Sequence, residues 1–204
     1  MKIIGITGPS GTGKSLCGKI LSENGIPTID ADEVYHSLLI PPSECLDAIE
    51  HAFGEEVFYS DGSLNRTALG AIVFNDENKL DLLNRTVLNY VVAEIRRIIS
   101  DLQGQNYNVV ALDAPTLIES GFYRECTTVI SILAPRSERI SRIMERDKLT
   151  ESMAIQRIDA QKSDDFYRRH SDIVLFNDQT PDNFIKSVQK LLNTPEFRSE
   201  DFDE

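Results

Sequence analysis

Apolar residues in this chain occur in two kinds of run. Short unbroken stretches lie at 2–7 ("KIIGIT"), 108–114 ("NVVALDA"), 127–134 ("TTVISILA") and 172–176 ("DIVLF"). They are rich in β-branched residues and lack polar alternation, which predicts strands of a parallel sheet buried on both faces. Residues 27–32 ("PTIDAD") form a weaker fifth. Between these runs apolar positions return at helical spacing, predicting helices over 15–23, 32–39, 44–53, 66–74, 77–101, 136–147, 151–169 and 181–193. Strands alternating with helices predict an α/β fold with helices on both faces of the sheet. The stretch 32–107 is longer than one crossover needs, so part of it is expected to form a substrate-side helical subdomain. The end of the chain, "TPEFRSEDFDE", is acidic with little apolar content and is expected to fray into solvent.

Length and charge narrow the picture. The chain has 204 residues, enough for one sizeable α/β body with a smaller subdomain. Thirty-three acidic against 21 basic residues give a net charge of -12, which opposes broad binding to nucleic acid or to anionic membranes. Cys17, Cys45 and Cys126 are widely spaced and form no zinc pattern. Reduced thiols in a cytoplasmic protein are the expectation. Behind Met1 and Lys2 the apolar run breaks into Gly, Pro and Ser, which predicts neither a secretory segment nor a membrane span.

Chemistry enters with "GPSGTGKS", residues 8–15. Gly8, Gly13, Lys14 and Ser15 satisfy G-x-x-x-x-G-K-[ST] between a predicted strand and a predicted helix, the context of a phosphate loop. Glycines at 8, 11 and 13 let successive N–H groups turn inward, and the helix start adds its positive end. Lys14 can then reach the β and γ oxygens of a nucleotide, and the Ser15 hydroxyl can hold Mg2+. Such loops serve GTPases, ATPase motors and small-molecule kinases alike. "NKLD" at 78–81 imitates a guanine-reading motif, but it lies inside a predicted helix with no strand before it, and is expected to be a solvated helix face.

Ligands of open parallel sheets bind beyond the carboxyl ends of the strands. Asp30, Asp32 and Asp113 end two of the predicted strands. Phosphoryl transfer to an alcohol needs a carboxylate to take the hydroxyl proton, and Asp32 and Asp113 are candidates. Asp30 is expected to cap the next helix. From Arg136 to Arg169 there are nine basic residues against seven acidic ones, leaving 12 against 26 elsewhere. Arg142 and Arg146 share a helical face there. They are expected either to close over ATP phosphates or to pair with Glu138, Glu145 and Asp147 on a solvated surface.

Together these segments resemble the dephospho-coenzyme A kinase family through to about residue 193. The resemblance is carried by "GITGPSGTGKS", "GIPTIDADEV", "FGEEVFYSDGSLNRTALGAIVF", "ALDAPTLIESG", "RIMERD" leading to Gln161, and "SDIVLFN" ending at Asn177. It implies a nucleoside-monophosphate-kinase-like fold with a five-stranded parallel core (1–31, 108–135 and 170–194), a helical coenzyme A side (32–107) and a lid (136–169), with 195–204 as an acidic tail. It also implies transfer of the γ-phosphoryl of Mg-ATP to the ribose 3′-hydroxyl of dephospho-coenzyme A. On this pattern Asp32 is the base, with Lys14 and Arg142 completing the catalytic set. Gly8, Gly11, Thr12, Gly13, Lys14, Ser15, Leu16 and Arg146 hold ATP, Ser15 holds the metal, and Asp113, Glu119 and Arg66 serve the substrate. The chain departs from the family pattern at Pro9, His36, Leu88 and Asn89. Another P-loop kinase, acting on a nucleoside or nucleoside monophosphate, is the alternative, with Arg66, Arg85, Arg96 and Arg97 available for a second phosphate.

Overall fold

Buried on both faces, the run Lys2–Thr7 becomes β1, with parallel neighbours on either side. The computed structural model describes residues 1–73, 75–178 and 180–197. With β2 (Thr28–Asp30), β3 (Val109–Asp113), β4 (Thr128–Leu133) and β5 (Ile173–Phe176), β1 forms one five-stranded sheet in the order β2-β3-β1-β4-β5. Ile6 lies opposite Asp113, Thr7 opposite Ser131, and Leu133 opposite Phe176. This register lines up the carboxyl ends of four strands along one edge. Every residue of β3 and β4 is buried, as expected of a parallel sheet covered on both sides.

The chain divides into two compact units, one made of residues 1–29 with those from 101 onward, the other of residues 30–100. In the first, α1 (Lys14–Glu23) and α9 (Pro181–Leu191) cover one face of the sheet. Leu21, Phe184 and Val188 pack there with Ile4, Ile6 and Ile130. After β4 come α6 (Arg136–Asp147), α7 (Glu151–Asp159) and α8 (Asp164–Arg169). Ile143, Ala154 and Ile158 join α6 to α7 in a small core of their own.

Two expectations change here. The single helix expected over 151–169 is two helices, because Ser163 caps a new one, its hydroxyl accepting the Phe166 N–H at 3.3 Å. The segment expected to fray does not do so at its beginning. Phe197 is buried in the main core, and Lys2 Nζ donates to the Pro195 carbonyl at 2.8 Å. Residues 198–204 lie outside the described residues.

In the second unit Asp30 is the helix cap, its Oδ1 accepting the N–H groups of Asp32 at 2.8 Å and Glu33 at 3.2 Å at the start of α2 (Ala31–Leu38). Then follow α3 (Glu44–Phe53), α4 (Arg66–Val73) and α5 (Glu77–Gly104), the last continuing into the first unit. Val87, Val91, Ile95 and Ile99, four residues apart, form the buried stripe of α5. The 78–81 motif sits in its first turns and is largely exposed. Among the described residues no helix is long and apolar enough to cross a membrane.

Candidate functional site

Residues 8–13 connect β1 to α1, and their shape is set by close approaches that exclude side chains. Gly8 has φ 138°, and a Cβ there would run into the Ile132 carbonyl of β4. Gly11 has φ 79°, and a Cβ would lie 2.9 Å from the Arg139 carbonyl oxygen. Gly13, also left-handed, is the residue from which α1 starts.

Donors hold each carbonyl of the turn. Lys14 Nζ donates to Gly8 O at 2.8 Å and Pro9 O at 3.2 Å, and the buried Thr12 hydroxyl also donates to Pro9 O, at 2.9 Å. Ser10 O accepts from Arg139 Nε at 3.0 Å, Gly11 O from Arg142 Nη1 at 3.2 Å, and Thr12 O from Asn177 Nδ2 at 2.8 Å. Gly13 O accepts the first helical bond, from Cys17 N–H, at 3.1 Å. Carbonyl oxygens repel anions, so a turn whose carbonyls are all engaged elsewhere can present its N–H groups to one.

Beside the turn lies a cavity of about 200 Å³ lined by Gly11, Gly13, Lys14, Ser15, Arg142 and Arg146. Three of the six are cations, one is a hydroxyl and none is acidic, which fits polyphosphate. A larger cavity in the second unit, about 450 Å³, has Asp47, Glu50 and Glu55 in its wall. Those carboxylates make it a poor phosphate site. Ser15 is exposed in the first turn of α1, where one hydroxyl suits Mg2+ that takes its remaining ligands from phosphates and water.

Arg142 and Arg146 stand between the cavity and acidic side chains of their own helix. Each lines the cavity, and each also has an acidic neighbour: Arg142 lies 3.5 Å from Glu138, and Arg146 is bidentate with Asp147 at 2.8 and 2.9 Å. Hydrogen bonding to Arg146 holds the Asp147 carboxyl below its usual range.

Other expected residues are placed as follows. Thr12 spends its hydroxyl inside the turn, and the Leu16 side chain packs on the main core, so both can meet a nucleotide only through main-chain N–H groups. Asp113 is buried at the carboxyl end of β3, while Glu119 is exposed in the loop that follows. Asp32 and Arg66 belong to the second unit. Asp32 is exposed in the first turn of α2, just past the end of β2, and Arg66 is exposed at the start of α4. His36 is exposed on α2, its ring 5.3 Å from that of Tyr35.

Arg139, Gln161 and Asn177 carry functions in the turn that no spacing rule assigned. Arg139 is 5% exposed, and burial, partly offset by Asp164, pulls its guanidinium below its ordinary value. Its one legible signal is helical phase, three residues before Arg142 and seven before Arg146.

A parallel sheet with this turn at its carboxyl edge places the chain among the P-loop nucleotide-binding proteins. Comparison with known proteins narrows that class. The sequence model of dephospho-CoA kinases matches residues 2–183, and the chain belongs to that family. It is 35% identical over 189 residues to a dephospho-CoA kinase of Shouchella clausii, covering 93% of this chain and 96% of that protein. Among solved structures, a dephospho-CoA kinase from Campylobacter jejuni superposes with TM-score 0.71 at 26% identity, covering 94% of this chain and 96% of that one. A Thermus thermophilus protein gives TM-score 0.79 at 28% identity, covering 94% and 95%.

Proposed function

We propose that this protein transfers the γ-phosphoryl group of Mg-ATP to the ribose 3′-hydroxyl of dephospho-coenzyme A, yielding coenzyme A and ADP, the last step of coenzyme A biosynthesis. The observation that carries this reading is the cationic cavity at the phosphate turn, in a chain of the dephospho-CoA kinase family. Cytoplasmic work with reduced thiols accords with the three free cysteines.

Each residue's role follows from its chemistry. Main-chain N–H groups from Gly11 to Leu16 and the α1 N-terminus hold the β-phosphate. Lys14, released from the Gly8 and Pro9 carbonyls, moves to the β and γ oxygens. Arg142, released from Gly11 O, follows charge onto the transferring group, and Arg146 steadies the phosphates beside it. Mg2+ held through Ser15 would neutralise the β and γ oxygens. Asp32 takes the proton of the attacking hydroxyl. In support, Asp30 meets the capping needs of α2, so the Asp32 carboxylate is not needed there. Asp113, Glu119 and Arg66 orient the acceptor.

The test is an acceptor panel with Mg-ATP, following ADP release. Transfer confined to dephospho-coenzyme A is expected, and transfer to a nucleoside or nucleoside monophosphate instead would overturn the reading. Asp32→Asn is expected to bind ATP normally by calorimetry while losing roughly a hundredfold or more in turnover. Lys14→Ala should weaken nucleotide binding itself. Near-normal turnover in Asp32→Asn would remove Asp32 as the base and point to Asp113.

A further inference from the structure

Ser10 is held by two side chains that the phosphoryl-transfer chemistry does not use. Gln161 Oε1 accepts the Ser10 N–H at 3.1 Å, and Gln161 Nε2 donates to Ser10 Oγ at 2.9 Å. Arg139 Nε donates to Ser10 O at 3.0 Å. The two holders are themselves joined, Arg139 Nη2 donating to Gln161 Oε1 at 3.0 Å, and Asp164 stands 3.6 Å from Arg139 Nη1. Every polar atom of Ser10 is thereby engaged by residues of α6 and of the α7–α8 junction. Gln161 stands in the break between α7 and α8, past the end of α7 at Asp159.

We infer that Arg139 and Gln161 are positioning residues that fix the Ser10–Gly11 peptide so that the turn is ready for phosphate before ATP arrives. A trans peptide points its C=O and its N–H in opposite directions. Holding Ser10 O against Arg139 therefore aims the Gly11 N–H the other way, toward the cavity that Gly11 lines. Glycine at 11 leaves this peptide nearly free to rotate. Rotation would put the Ser10 carbonyl where an anion is to sit. Arg142 performs the same task for the next peptide through Gly11 O, but in the proposed reaction it leaves for the transferring phosphate. Arg139 is buried and bonded on three sides, and stays. The turn thus has a permanent clasp (Arg139, Gln161 and, at Thr12 O, Asn177) and donors on loan (Lys14 and Arg142).

This inference rests on ATP binding at this cavity and not on the identity of the acceptor. Gln161→Leu removes the hydrogen bonds to Ser10, whereas Gln161→Glu keeps an oxygen for the Ser10 N–H, the Ser10 hydroxyl and Arg139. The leucine variant is expected to raise the Kd for ATP and for ADP by about tenfold or more, with kcat at saturating ATP within about twofold of wild type. The glutamate variant should recover most of the affinity. A leucine variant that binds ATP as wild type does, or one that loses kcat with KM unchanged, overturns the clasp. Because calorimetry needs no acceptor, failure of the acceptor assignment shows separately, as wild-type protein that binds ATP and transfers nothing to dephospho-coenzyme A. Should Gln161→Leu not fold, hydrogen exchange in the nucleotide-free wild type decides. Slower exchange at the Ser10 amide than at Gly11 supports the clasp, and equal rates overturn it.

Discussion

Arg136 and Arg142 lie on one helix yet face different surroundings. Arg136 is half exposed and pairs with Asp159 at 2.7 Å, a surface pair that contributes little. Arg142 reaches Gly11 O and the wall of the cationic cavity. Arg142→Ala is therefore expected to depress turnover strongly, on the order of a thousandfold as for other cationic clamps on a transferring phosphoryl group. Arg136→Ala should leave turnover close to normal. Equal and small effects in steady-state assays would return α6 to a purely solvated face. The phosphate turn was legible in the sequence because its determinants lie within eight adjacent residues, Gly8 to Ser15. The roles of Arg139, Gln161 and Asn177 at the turn were not, even though the last two end segments that carry the family resemblance, because they meet it across 129, 151 and 165 residues of chain respectively. Hydrophobic period says nothing about which distant polar side chain will meet a carbonyl.

Strands and helices were readable from apolar runs wherever burial dictated them, as in β3, where every residue is buried. They were misread where one polar or aromatic residue overrode its neighbours. Ser163 divides the expected 151–169 helix by capping α8, and Phe197 anchors a stretch whose composition suggests fraying. Phe197 is 8% exposed among residues of α1, α9 and the sheet. Phe197→Ala is expected to lower stability by about 3 kcal/mol, the usual cost of emptying an aromatic core position, measured by urea unfolding. Ending the chain after Thr194 should cost at least as much, because it also removes the Pro195 carbonyl from Lys2. An unchanged unfolding midpoint in both would mean that α1 and α9 close the core without this residue.

At the scale of the molecule, stability is tied to pH through a thiol that α1 buries in the main core. Burial, and then the charge of Asp113, push the Cys17 thiol up to about 12. An unfolded cysteine ionises near about 8.5. The folded state therefore keeps a proton that the unfolded state gives up, and the stabilisation from a neutral Cys17 is complete below that pH and lost as pH rises toward about 12. Wild-type unfolding free energy should fall across this window, and Cys17→Ala should reduce the slope by close to one proton, read from urea midpoints at successive pH values.

The long reach of the bonds around residues 8–13 also orders events during synthesis. β1 and the phosphate turn are made before β3 and β4, and before the partners at 139, 142, 161 and 177, which lie more than a hundred residues further along the chain. Until those partners are made, only Thr12, Lys14 and the first turn of α1 are at hand to shape the glycine-rich segment. A ligand that binds the shaped turn, as proposed for ATP, therefore stabilises the chain most once β5 has paired and Asn177 has reached Thr12 O.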